Sequence, residues 1–487
     1  MKKMKIVHVV AEVSPFSKTG GLGDVARSLP KALFRLGHEV SVITPLYGRI
    51  IDKKKHNLKL IFKDINLVVD TETSVKINVW RGSLIDGLAV YFIENKEHFS
   101  KYKKIYVSSK DNLRFLIFNL AALRLLNLLN NKPDIIHCHD WHTGLVPYFI
   151  KNKHRYTKNL GSVKTIFTIH NLAFQMGRSW YSIPSEKKDY GRRKLPLSTD
   201  DDIYNINFAK RAILTADIIN TVSERYREEI MTKKFGQDLH RILRNRENRL
   251  FGIINGIDYN SYNPKKDQAL YKRYSFDDHH LKSENKKYLQ KKLGFTIDEN
   301  IPFFCSTSRI AYQKGFDIIL ATLPHLLKLD VQIIFIGDGD HNYIKEIKKL
   351  VKKYPKKIAW WPFLKNQKKE TLLYAASDFF ILPSYYEPCG INQMIAMRYG
   401  AIPIVRDIGG LYDTVSNFSP LTNKGTGFVF KPADEFAFFW AITRALENYK
   451  YKKVWANLVS RAMRRSSSWE IPAQKYVKLY KRALKLK

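Results

Sequence analysis

The sequence predicts an α/β protein made of two doubly wound domains in tandem, each built on a mainly parallel sheet. Short apolar runs of strand length alternate with helix-period segments from residue 5 to residue 169, and a second series of the same kind opens at residue 302. Strand–helix–strand alternation closes into a parallel sheet through right-handed crossovers. Size agrees: 487 residues, at roughly 100–200 per domain, make two or three domains.

The first series starts with Lys5–Val13 (KIVHVVAEV), a buried strand. In Gly23–Gly37 the apolar residues Val25, Leu29, Leu33 and Leu36 recur at helical spacing, and Gly37 ends the helix. Glu39–Thr44, Asp134–His139 and Lys164–Ile169 read as further strands. Residues 175–202 are polar and irregular, carry Pro184 and Pro196, and read as a long surface loop, a class that is usually functional or mobile. The Lys-rich stretch 255–300 reads as a linker with peripheral structure. The second series then runs strand 302–308, helix 316–327, strand 331–337, helix 341–353, strand 358–363, helix 369–376, strand 378–384, helix 391–399 and strand 402–406. The expected domains are 1–254 and 255–463, with 464–487 a basic closing helix packed towards the first domain. Ligands of such sheets bind beyond the carboxyl ends of the strands, so the site is expected in the cleft between two facing domains.

Composition narrows the class. Hydrophobic residues at 45% and charged residues at 26% fit a globular chain with a sizeable core. No apolar run reaches the roughly 18 residues of a membrane helix, and no secretion signal is recognisable, so no membrane partner is expected. Cys138, Cys305 and Cys389 form no CxxC pair, which fits a reducing, cytoplasmic setting better than a disulfide framework. The formal net charge of +38 would suit a nucleic-acid surface. The lysines are scattered, however, and no nucleic-acid motif accompanies them, so compositional drift is the preferred reading and nucleic acid is not an expected partner.

Six segments carry candidate chemistry. Lys18-Thr-Gly-Gly-Leu-Gly-Asp24 joins the first strand to the first helix, where glycine backbone and helix-terminal N–H groups suit a diphosphate. An ordinary strand–helix turn remains open on these residues alone. The spacing is neither GxGxxG nor a GK[ST] phosphate loop. Arg309 and Lys314 sit at a strand–helix junction and suit a diphosphate clamp, beside the plainer reading of solvated surface cations. Glu387-Pro-Cys-Gly-Ile-Asn-Gln393 follows a strand and opens a helix; its carboxylate can hold sugar hydroxyls or cap the helix. Gly409-Gly410 forms another such turn. His137, His139, Asp140 and His142 cluster at one strand end and His170-Asn171 at another. Without a third ligand or an HExxH helix, a polar site edge is a better reading of the histidine cluster than a metal centre. There is no Gly-x-Ser-x-Gly elbow and no paired-carboxylate pattern, which argues against an α/β-hydrolase and a glycoside hydrolase.

Together these strings resemble the bacterial glycogen synthase and plant starch synthase family over nearly the whole chain. The resemblance rests on KTGGLGDV near the start, HDWHTGL at 139–145, TIHNLAF at 168–174 and GIINGIDYNSYNP at 252–264. It continues through SRIAYQKGFD at 308–317, PSYYEPCGINQMIAMRYG at 383–400, GGLYDTV at 409–415 and GTGF at 425–428. It implies a GT-B fold, two Rossmann-like domains around a deep cleft, and retaining transfer of glucose from ADP-glucose, or UDP-glucose, to an α-1,4-glucan. Two alternatives stand beside it: a related GT-B enzyme with another donor or acceptor, or, on the net charge alone, a basic nucleic-acid-binding protein on the same scaffold. By position, Lys18 and the Gly20–Gly21 backbone would contact donor phosphates and Arg309 and Lys314 would bind the diphosphate. Glu387 would hold the transferring glucose with the Cys389 and Gly390 backbone. His170 would sit beside the anomeric centre, and Asp24, Asp140 and Asn255 would line the cleft. The resemblance implies no metal and no cofactor, the two cations standing where other glycosyltransferases use Mg²⁺. The chain departs from the family at Gln175–Trp180, around Tyr102–Lys110, and at Phe363-Leu364-Lys365, where the family often has an aromatic near the base.

Overall fold

The computed structural model of the protein describes residues 3–130, 132–363 and 367–486. The chain divides into two compact units: Met1–Asn255 with Trp469–Lys487, and Gly256–Ser468.

The first unit holds a nine-stranded sheet in the order β3-β4-β5-β2-β1-β6-β7-β8-β9. Its strands are β1 (Lys5–Val9), β2 (Glu39–Pro45), β3 (Lys59–Val68), β4 (Ser74–Ile85), β5 (Leu88–Glu94), β6 (Ile135–His139), β7 (Lys164–Ile169), β8 (Ile218–Thr221) and β9 (Leu250–Gly252). β2, β1, β6, β7, β8 and β9 pair in parallel, and β5 joins β2 in parallel. Helices cover parallel strands on both faces, which is why β1 and β6 read as unbroken apolar runs. The helix Gly21–Arg35 buries Leu22, Val25, Ala26, Leu29 and Leu33, and Gly37 takes the left-handed conformation, φ +87°, that stops it.

The second unit holds a six-stranded parallel sheet in the order β12-β11-β10-β13-β14-β15. The strands are β10 (Phe303–Thr307), β11 (Gln332–Ile336), β12 (Ile358–Trp361), β13 (Phe379–Leu382), β14 (Ile402–Arg406) and β15 (Phe428–Phe430). The helices His341–Lys353 and Asn392–Arg398 lie where helical spacing places them.

Three regions differ from expectation. β3, β4 and β5 form an antiparallel meander that strand–helix alternation does not announce. Residues 255–300 are packed structure rather than a linker. Their helix Lys282–Leu293 buries Lys282, whose ammonium donates to the carbonyls of Tyr374 and Ala375 at 2.8 and 2.6 Å, and whose pKa burial pulls down to about 7. Lys286 pairs with Asp378 at 2.6 Å. The 175–202 loop is irregular but anchored, with Met176, Trp180 and Ile183 buried and Asp189 locked in a buried ion pair with Arg211.

Among the described residues no helix is long and apolar enough to cross a membrane, and all three cysteines are buried thiols. Of the 363–365 segment only Phe363 lies among the described residues, and it is exposed; Leu364 and Lys365 lie outside them.

Candidate active site

Strand order reverses at β1/β6 in the first unit and at β10/β13 in the second. Such reversals leave a crevice beyond the carboxyl ends of the strands, where ligands bind in open α/β sheets. Of the candidate site residues, His137 and His139 lie within β6 and the others follow the carboxyl end of a strand.

In the second unit Lys314 and Glu387 meet. The ammonium contacts Glu387 Oε2, and Ser384 Oγ donates to the same oxygen from 3.3 Å. Both side chains are largely buried, so little solvent screens the pair. Gly315 makes the approach possible. It sits at φ +73°, and a Cβ there would lie 2.2 Å from the Pro383 carbonyl oxygen. Gly315→Ala is therefore expected to cost about 1–2 kcal/mol from backbone conformation alone, and more from the clash. A lowered thermal midpoint, together with reduced activity as Lys314 and Glu387 separate, checks this. Arg309 is exposed and donates from Nη2 to Gln313 Oε1 at 2.9 Å, leaving most of its guanidinium fork to solvent.

The Glu387–Gln393 loop is braced from below. Gln393 Nε2 donates to the carbonyls of Cys389 and Gly390 and to Thr414 Oγ1. Gly390 takes φ +68°, and Gly410 N–H donates to the Glu387 carbonyl at 2.9 Å. The Gly409–Gly410 turn thus fixes the Glu387 backbone.

In the first unit the Lys18–Asp24 segment wraps around Glu12. That carboxylate accepts from Thr19 N at 2.6 Å, Thr19 Oγ1 at 2.7 Å and Gly23 N at 3.2 Å. Burial lifts its pKa to about 7 against these bonds. Lys18 pairs with Asp24 at 2.8 Å while staying exposed. Gly20 is extended, and a Cβ on it would meet no protein atom within 4 Å, so protein packing does not demand glycine there.

Asp140 stands at the end of β6 with φ 56° and ψ 176°, a strained setting for a residue bearing a Cβ. Its Oδ1 accepts the His170 backbone N–H at 2.8 Å, and burial raises its pKa to about 7. The Asp140 carboxylate thus holds the turn that presents His170. Asn255 is buried, and its Oδ1 has no hydrogen-bond partner among the described residues.

Sequence reasoning did not single out His8. Register pairs His8 with His137 and His139 with Thr168, and the two-residue period puts His137 and His139 on one face of the sheet. His137 uses both ring nitrogens, Nδ1 with Tyr480 Oη at 2.8 Å and Nε2 with Thr168 Oγ1 at 2.6 Å. Asn220 Nδ2 continues the layer to Tyr476 Oη at 2.9 Å. Ring nitrogens of His8, His137 and His139 come within 4.8 Å of one another. With both nitrogens of His137 already hydrogen-bonded, the group reads as a bonded polar layer rather than a ligand set. His142 stands apart, packed on Tyr106 and Phe115.

Comparison with known proteins agrees with this geometry. Residues 5–245 match the starch synthase catalytic domain family, and residues 290–459 match glycosyl transferases group 1. The chain is 39% identical over 492 residues to the glycogen synthase of Geotalea daltonii, covering 99% of each chain. It is 37% identical over 484 residues to that of Anoxybacillus flavithermus, covering 98% of this chain and 97% of the relative. Among solved structures, the catalytic domain of starch synthase IV from Arabidopsis thaliana, bound to ADP and acarbose, superposes with a TM-score of 0.88 at 33% identity and full coverage of both chains. Sucrose-phosphate synthase from Thermosynechococcus elongatus, at TM-score 0.62, 18% identity and 99% coverage of each chain, shares the fold. The chain belongs to the glycogen and starch synthase family of GT-B glycosyltransferases.

Proposed function

We propose that the protein transfers glucose from ADP-glucose to the non-reducing end of an α-1,4-glucan, with retention at the anomeric carbon, in the cytoplasm. The observation that carries the reading is the largely buried contact between Lys314 and Glu387, on the same strand–helix junction that carries the exposed Arg309. It sets cations for a departing diphosphate beside a carboxylate for sugar hydroxyls. As the bond to phosphate breaks, negative charge grows on the leaving oxygen. Fixed cations stabilise that charge more in the transition state than in the ground state.

The second domain, 255–463, takes the nucleotide-sugar. Arg309 and Lys314 bind its diphosphate, and Glu387 with the Cys389 and Gly390 backbone holds the glucosyl group. In the first domain, 1–254, Lys18 and the Gly20–Gly21 backbone meet phosphate oxygens and His170 meets the transferred sugar. Asp24, Asp140 and Asn255 line its surroundings. ADP is preferred over UDP because the Arabidopsis relative was solved with ADP.

The test is incubation with glycogen and either ADP-glucose or UDP-glucose, following nucleotide release and glucan length. ADP release matched by glucan growth is expected, with UDP-glucose slower by at least about 10-fold, a difference of about 1.4 kcal/mol. Equal or faster growth from UDP-glucose would overturn the donor assignment. Nucleotide release without chain growth would overturn the acceptor.

A further inference from the structure

His8, His139 and His170 form one hydrogen-bonded line across the first unit's sheet. His8 Nδ1 lies 3.0 Å from His139 Nε2, and His139 Nδ1 lies 3.0 Å from His170 Nε2. Burial keeps all three rings neutral, pulling the pKa of His8 and His170 down to about 3 and that of His139 well below its usual value. A neutral imidazole carries one N–H and one bare nitrogen. Each link needs one donor and one acceptor, so the tautomer of one ring sets the other two.

Two arrangements satisfy both links. Every ring donates towards His170, or every ring donates towards His8. The far end of the line decides between them. His8 Nε2 is buried and has no hydrogen-bond partner among the described residues. Donation towards His8 would leave a proton on that nitrogen with nothing to accept it. Donation towards His170 leaves a bare nitrogen there, and a buried orphan acceptor is less costly than a buried orphan N–H. The neighbouring His137 cannot divert the line, because Tyr480 and Thr168 occupy both its nitrogens.

We infer that His8 and His139 are positioning residues that fix His170 as the Nδ1–H tautomer, a hydrogen-bond donor with no bare ring nitrogen left to take a proton. His170 is only partly buried, and its Nδ1 makes no hydrogen bond among the described residues. The inference rests on the proposed placement of His170 at the transferred sugar and assigns its chemistry there. Nδ1–H donates to a sugar oxygen. The acceptor hydroxyl oxygen bonds to the anomeric carbon, the bond from that carbon to the phosphate oxygen breaks, and the hydroxyl proton passes to the departing phosphate rather than to His170.

The tautomer can be read directly. Full-length protein with isotope-labelled histidine is examined by long-range proton–nitrogen NMR correlations, with His170 assigned from the signals lost in His170→Gln. A protonated Nδ1 and a bare Nε2 on His170 are expected; the reverse pattern overturns the inference. Turnover gives a second arm. In His8→Asn the side-chain amide can donate from the position of Nδ1, so kcat and the His170 tautomer are expected to hold. His8→Leu removes the donor and is expected to lower kcat about 10-fold with little change in KM, the low end of what losing an orienting partner costs. Loss of the His170 tautomer in His8→Asn would overturn the inference even where His8→Leu fails to fold. Full turnover in His170→Gln would remove the proposed role of His170 at the sugar, while the tautomer still stands or falls on the spectrum.

Discussion

Arg309→Ala and Lys314→Ala are each expected to lower turnover by about 10²–10³, the scale for losing one preorganised charge contact at a transition state. The two differ in what else they disturb, and that difference makes the pair informative. Arg309 is exposed and, among the described residues, hydrogen-bonds through its side chain to Gln313 alone, so its removal should leave the thermal midpoint unchanged. Lys314 is largely buried against Glu387, so its removal also leaves a carboxylate with Ser384 Oγ as its remaining side-chain partner among the described residues. Part of the Lys314→Ala effect should therefore appear as lost stability. Lys314→Arg keeps the charge but not the compact ammonium, and is expected to recover stability better than turnover. Single-turnover rates with saturating ADP-glucose, set beside thermal midpoints, separate the two contributions. Near-normal rates in both alanine variants would end the diphosphate-clamp assignment.

The alternation of apolar runs with helical segments exposed most of the two sheets because parallel strands are buried on both faces and leave few polar interruptions. The meander β3–β5 escaped for the opposite reason. Its strand Lys59–Val68 is mostly part-buried or exposed, so lysine and aspartate interrupt its apolar residues and no continuous run forms. Lys282 and Lys286 misled more strongly. Composition reads a Lys-rich segment as solvated. Here the ammonium groups are buried because carbonyls at Tyr374 and Ala375 and the Asp378 carboxylate, some ninety positions away in sequence, receive them. No local pattern encodes such a partner. The candidate-site loops were legible as glycine-bearing strand–helix junctions, and they do follow the ends of strands. His8 was not, since a single histidine inside an apolar strand becomes meaningful only once register sets it beside His137. The same holds for Glu12, the penultimate residue of the KIVHVVAEV run, which turns out to organise the Lys18–Asp24 segment.

Asp189→Ala is expected to destabilise the first unit by about 3–5 kcal/mol, the cost of stranding a buried charge. Arg211 is fully buried and grips Asp189 through two bonds of 2.9 Å, from Nε and Nη2, while Nη1 donates to the Arg193 carbonyl. Asp189 also accepts from Gly191 N at 2.8 Å and Asn207 N at 3.1 Å. One carboxylate therefore ties the irregular 175–202 loop to the helix Phe208–Thr215, and its loss frees the loop while leaving a guanidinium with no counter-charge. Urea unfolding followed by tryptophan fluorescence should show an earlier transition, and limited proteolysis should open sites between residues 175 and 202. Replacing both partners, Asp189→Leu with Arg211→Met, removes the stranded charge and is expected to recover much of the stability but not the loop's resistance to protease. If Asp189→Ala unfolds at the wild-type midpoint, the ion pair does not anchor the loop, and the buried apolar contacts of Met176, Trp180 and Ile183 hold it instead.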